Sequence, residues 1–250
     1  MSMRSRRGAL CRRASRVVGA LAAALFVAFA GLACQAGPAN APANAPDAGA
    51  GWIDWNGDNF FRPCNGDCAF SLYGGGEVTT SMLRIFFLKA PPALPWSWHW
   101  GHSAIGAATF SRRLVTFWHA LSLEPEFGVG QRFGDMHATE FWGAVDFRWT
   151  EFPWNNYIKT SIAISEGISL TTQVDTRERL MDNYRIVGNK LVFRGSDLLN
   201  FFSPEITFAL PQYQDYELVV RFHHRSGIFG AINGVHAGAQ FFTAGLRIHF

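Results

Sequence analysis

Charge is scarce in this sequence. Asp, Glu, Lys and Arg make up 16% of its 250 residues, barely more than the 15% contributed by Phe, Trp and Tyr. The cations are also badly spread: six Arg, at positions 4, 6, 7, 12, 13 and 16, fall in the first sixteen residues. The rest is net negative, so no basic face remains for a nucleic acid and none is expected as a partner. A helical period is missing too, because from about residue 69 apolar side chains recur at every second position rather than every 3.6. His99, His102 and His119 have no metal-ligand spacing with any acidic partner, so neither metal nor cofactor is expected.

What is present begins with the parts of an export signal. A basic region through Arg16 precedes the apolar run VVGALAAALFVAFAGLA at 17–33 and then small residues, with Ala28-Phe29-Ala30 fitting signal-peptidase cleavage. Residues 1–36 are therefore expected to be a signal peptide cut near 30–36. A retained anchor is the competing reading, since the run is at the short limit for a spanning helix. The stretch GPANAPANAPDAGAG, 37–51, is a tether that cannot bury enough apolar area to fold. Cys11 falls in the signal, which leaves Cys34, Cys64 and Cys68. Within an N-terminal segment, 52–68, Cys64 and Cys68 are expected to close a small loop in an oxidising compartment. Cys34 is a candidate for lipidation, although Gly31-Leu32-Ala33 departs from the usual lipobox.

The remaining 69–250 alternates clearly in places. In 121–133 one face carries Leu121, Leu123, Pro125, Phe127 and Val129, and the other Ser122, Glu124, Glu126, Gly128 and Gly130. In 138–150 Phe141, Val145, Phe147 and Trp149 oppose Glu140, Trp142, Ala144, Asp146 and Arg148. Similar patterns near 158–165 and 202–210, with 78–88, 104–117, 214–224 and 240–250, make eight candidate strands, most of them long enough to cross a membrane when tilted. Short connections at 118–120, 151–156 and 211–213 alternate with long ones at 89–103, 171–198 and 225–239 and a moderate one at 134–137. That alternation suits an eight-stranded antiparallel outer-membrane β-barrel with both chain ends in the periplasm of a Gram-negative envelope. Trp118, Trp149, Trp154, Tyr157, Tyr213 and Tyr216 stand near the short turns, where an interfacial girdle belongs. The chain closes on AQFFTAGLRIHF, and its terminal Phe250 resembles the signal by which the barrel-assembly machinery recognises such proteins. A soluble barrel alternates as well, but with its charges outside. Here charges of both signs share one face on many strands, which suits a polar interior, and the nearly uncharged opposite face suits lipid.

Parity then assigns RFHHRSGIFG, 221–230. The apolar face of 214–224 is Tyr216, Leu218, Val220 and Phe222, so His224 and Ser226 continue it outward. His223 shares the inward face with Arg221 and Arg225. His224 lies about ten residues above the short turn, which at ~3.3 Å per residue and a ~40° tilt is near the outer membrane surface. An imidazole that takes the proton of a serine makes a nucleophile for acyl transfer, here at the depth of a lipid ester.

This H-x-S on the penultimate strand of a small barrel resembles the outer-membrane lipid A 3-O-deacylases, in architecture over 69–250 and in motif over the last thirty or so residues. The resemblance implies calcium-independent hydrolysis of the 3-position acyl ester of lipid A in lipopolysaccharide, with Ser226 as nucleophile and His224 as general base. The chain departs from the family at Gly227, where Asn usually contributes to the oxyanion hole, and at Gly238, where Glu orients the His. No acid occurs in 218–250. Two outward amides, Gln240 and Asn200, are candidates for the third role, which an amide fills in outer-membrane phospholipase A. Glu166 also faces outward, but two strands from His224, roughly 10 Å and too far for a direct hydrogen bond. An inactive structural or lipopolysaccharide-binding barrel, and a phospholipase, remain alternatives.

Overall fold

The computed structural model describes residues 52–55, 63–86, 88–135, 137–174, 184–187, 190–193, 195–236 and 238–250. The expected export signal and tether, with Cys11 and Cys34, lie outside them. Twelve strands are described: β1 (Ile53–Trp55), β2 (Cys68–Val78), β3 (Trp100–Arg112), β4 (Val115–Phe117), β5 (Leu121–Phe133), β6 (Thr139–Trp149), β7 (Lys159–Thr171), β8 (Tyr184–Val187), β9 (Lys190–Phe193), β10 (Leu198–Ala209), β11 (Tyr216–Ser226) and β12 (Gly238–His249). Eight of them close a ring in which every pairing is antiparallel. Its order is β2-β3-β5-β6-β7-β10-β11-β12, and β12 returns to β2 in register from Phe241↔Glu77 to His249↔Ala69. β1 and β4 add a short flap on β5, and β8–β9 is a hairpin in the connection between β7 and β10.

The first strand of the ring is not where alternation alone suggests. Residues 78–88 read as a strand, yet β2 ends at Val78 and Met82–Ile85 form one turn of helix, α1. Gly74, Gly75 and Gly76 hide the alternation in β2, while the apolar run MLRIFFL imitates a strand without being one. Likewise 104–117 divides, because the chain leaves β3 at Arg112 and resumes as β4 at Val115. The Cys64–Cys68 disulfide sits at the foot of β2, where Asn65 and Gly66 supply the left-handed turn of its loop.

The two faces settle the solvent question. Arg132, Arg221, Arg225, Glu126 and Glu140 are below 2% exposed, whereas Leu72, Phe127, Ile168 and Leu170 are half exposed, at 56, 57, 58 and 50%. Around the ring apolar side chains point out and charges point in, Glu166 of β7 excepted. A soluble barrel would strand that apolar belt in water, far beyond the patch size such proteins expose. Closure leaves no unpaired edge in hydrocarbon, which is what a spanning sheet requires. The chain is an outer-membrane β-barrel. Trp118, Trp149, Trp154 and Tyr157 stay exposed by its short turns, at the level of the membrane interface.

The interior is filled rather than open. Glu205 accepts from Arg148 at 2.7 Å and from Arg221 at 2.7 Å, Glu126 accepts from Arg221 at 2.6 Å, and Glu124 accepts from Arg247 at 2.6 Å and Arg148 at 3.1 Å. Eight strands leave room for side chains only, and these bridges occupy it. Higher up, Trp142 stacks on Phe201 at 5.3 Å and donates to Glu126 at 2.9 Å. His223 lies edge-on to both rings, 3.2 Å from Glu140 and 3.3 Å from the Tyr73 hydroxyl. His223→Ala is therefore expected to destabilise the barrel by about 2 kcal/mol, the cost of stranding buried partners. A urea titration of the refolded protein checks this, and the folded fraction should keep any lipolytic activity.

Candidate active site

β11 positions its side chains by strict alternation. Val219, Arg221, His223 and Arg225 are buried inside, and Tyr216, Leu218, Val220, His224 and Ser226 are partly exposed outside. Phe222 breaks the pattern: it points outward yet is only 5% exposed. Its cover is the connection between β2 and β3, which folds down over the outer wall. Ile85 of α1, Met82 and Trp98 pack against Phe222, Val78 and Phe242. Phe86 meets Phe222 edge-on at 5.6 Å, and Trp98 and Trp100 meet Phe242 at 5.3 and 6.4 Å. The PWSWHW segment thus builds an aromatic flank beside the outer end of β11.

Ser226 is the last residue of β11 at that outer end, and His224 is one step below on the same face. Across the sheet, Ser226 faces Asn200 of β10 on one side and Gly238 of β12 on the other, while His224 faces Phe202 and Gln240. Directly opposed residues hold their Cβ atoms about 5 Å apart, so these four polar side chains share one patch. Pro204, which has no N–H to donate, interrupts the β10–β11 ladder between Phe202 and Glu205.

Each amide is anchored on the side away from the pair. Gln240 donates its Nε2 hydrogen to the Thr80 carbonyl, and Thr80 is itself held by His99, whose backbone N–H donates to its hydroxyl at 2.8 Å. Asn200 donates from Nδ2 to Glu166 Oε1 and, at 3.1 Å, to the Gly167 carbonyl. Both amides are nearly buried, at 9% and 7%. By contrast His224 Nδ1 is buried and has no partner among the described residues. No hydrogen bond joins His224 to Ser226.

Gly227 and Gly238 have steric reasons to be glycine. A Cβ at Gly227 would lie 2.0 Å from the Val235 carbonyl oxygen, and one at Gly238 would lie 1.9 Å from that of Arg225. Neither position accepts a side chain unless the backbone moves. Gly238→Glu is accordingly expected to weaken folding instead of supplying an orienting acid. A heat-modifiability gel and the lipid profile of expressing cells check both halves. Beyond Gly227 the chain turns through Ile228, Phe229 and Gly230, all at positive φ, with Phe229 75% exposed. A β-branched residue in that region is a strained one, and it stands two residues from Ser226.

No protein-family model and no curated protein matches the chain. Among solved structures it is similar to the outer-membrane enzyme PagL, at 16% identity and a TM-score of 0.41 over 72% of this chain and 98% of that one. Neisserial surface protein A gives 8% and 0.42 over 73% and 96%, and the N-terminal β-barrel domain of Pseudomonas aeruginosa OprF gives 6% and 0.38 over 74% and 98%. Likenesses this loose concern barrel shape and carry nothing about chemistry.

Sequence parity put Ser226, His224, Asn200 and Gln240 on one face; the anchors of the two amides are visible only in the structure. Glu166 is the residue that sequence reasoning set aside. It is two strands from His224 but only one from Asn200, and that is the contact it makes. Among the described residues no group of His, Cys, Asp and Glu is arranged to hold a metal ion.

Proposed function

We propose that this protein hydrolyses acyl esters of lipid in the outer leaflet, with the 3-position ester of lipid A as its substrate. One observation carries the reading: a serine and a histidine share the lipid-facing wall at the outer end of β11, flanked by two oriented amides. Soluble esters have no route to that wall, whereas the ester groups of membrane lipid lie against it. In the reaction His224 takes the Ser226 proton as Oγ attacks the acyl carbonyl, then delivers it to the departing sugar oxygen. Water, deprotonated by the same imidazole, releases the acyl chain as a carboxylate and restores Ser226. The developing oxyanion would be met by backbone N–H groups of the turn at Ile228 and Phe229, in place of the family's Asn. The aromatic flank of Trp98, Trp100, Phe222 and Phe242 offers one side of an acyl groove. A catalytic pair that is unpaired at rest is compatible with this, since such bonds often tighten only around substrate.

The same unpaired geometry favours a second reading, a lipopolysaccharide-binding barrel without turnover. In either case residues 1–36 serve as the export signal, cut near 30–36, and β12 with Phe250 after it serves as the assembly signal. Mass spectrometry of lipid A and phospholipids from one extract, with and without expression, separates the readings. Loss of one ester-linked chain from lipid A supports the deacylase, and loss from phospholipid makes it a phospholipase. No change with a folded barrel in the membrane leaves the binding protein.

A further inference from the structure

Glu166 is out of place. It is exposed on the outward face of β7, with Ile162 and Ile164 below it and Ile168 and Leu170 above. Among the described residues it is the one carboxylate on the outward wall of the eight-stranded ring. A charge on the lipid face of a barrel is costly, and an ionisable group there points to function. Its partner is equally specific. Asn200 gives both Nδ2 hydrogens to acceptors on β7, one to Glu166 and one to Gly167.

An amide held that way has no choice about which end it shows to β11. Its nitrogen is engaged, so only the oxygen is left for the Ser226 and His224 side. Ser226 is directly opposite Asn200, and His224 is its diagonal neighbour, within reach of a ring and an amide. An imidazole acting as general base needs an acceptor for the hydrogen on its other nitrogen, and His224 Nδ1 has none at rest.

We infer that Glu166 is a positioning residue of the hydrolytic site: it fixes the Asn200 amide with its oxygen toward β11, where that oxygen orients His224. This rests on the hydrolase reading and supplies, from a different strand, an acid that Gly238 cannot carry. Glu166 touches neither substrate nor Ser226; it acts through Asn200 alone.

The test uses the full-length protein refolded in detergent micelles with ester-linked lipid A as substrate. Glu166→Leu removes the acceptor while suiting lipid, so the barrel should remain heat-modifiable and at least as stable. Its kcat should fall about tenfold or more with KM unchanged, as expected for a misaligned catalytic group. Glu166→Gln keeps a carbonyl that can accept from Asn200 and should stay within about threefold of wild type. A Glu166→Leu protein with wild-type kcat, or one that loses only in KM, overturns the positioning role while the hydrolase reading stands. A wild type that cleaves neither lipid A nor phospholipid overturns the hydrolase reading, and this inference with it.

Discussion

Ser226→Ala should leave lipid A and phospholipid of expressing cells identical to those of cells without the protein, while the barrel still migrates as folded on a heat-modifiability gel. The chemical loss is total for the covalent route, since among the described residues no other hydroxyl on the outward face of the strands is paired beside His224. Removal of a nucleophile acting with its base typically costs about 10⁶ in kcat. The structural loss is small for the opposite reason. Ser226 is partly exposed at a strand end and makes no side-chain hydrogen bond among the described residues, so its alanine variant should be within about 0.5 kcal/mol of wild type. That separation makes the variant informative. Retained hydrolysis by a folded Ser226→Ala protein would sink the nucleophile assignment.

Glu205→Ala should have the converse signature, severe for folding and uninformative for chemistry. Glu205 is fully inside, with Arg148 and Arg221 each at 2.7 Å and Arg247 at 3.4 Å. Deleting one partner from a buried ionic cluster costs roughly 3–5 kcal/mol, because the charges left behind have no water to turn to. Stability of native domains is only about 5–15 kcal/mol in total, so the variant should lose a large share of it. The urea midpoint of protein refolded in micelles should drop sharply at unchanged m-value. Glu151→Ala, in an exposed turn, is the control and should shift stability by no more than about 0.5 kcal/mol. A Glu205→Ala midpoint equal to that control would mean the interior cations are hydrated.

The legible and illegible parts of this molecule divide along a physical line. Period-two alternation is a local property, so 121–133 and 138–150 announce their strands and faces, and parity alone carries His224 and Ser226 to the outer wall. It fails where side chains are too small to alternate. Glycines in β2 mask a real strand, and the apolar residues after Val78 look like one although they cap Phe222 from outside. Register between strands is not local at all. Asn200 meets Glu166 because of where β10 enters the sheet after the long connection from β7, and the length of that connection says nothing about the offset. The distance from Glu166 to His224 and the outward face of Asn200 are legible; the contact that joins Asn200 to Glu166 is not.

The cross-barrel pairs also bear on how the ring comes together. Arg247 belongs to β12, the last strand made; its partner Glu217 is on the neighbouring β11, but Glu124 and Glu205 belong to β5 and β10 across the lumen. Until the seam between β12 and β2 zips shut, that guanidinium has only Glu217 beside it, and two acids lack part of their counter-charge. Insertion of a half-built sheet would carry those ions into hydrocarbon. Seam closure thus completes a neutralisation that Arg148 and Arg221 begin: a chain truncated before β12 keeps those two cations but lacks the third, which Glu124 and Glu205 share.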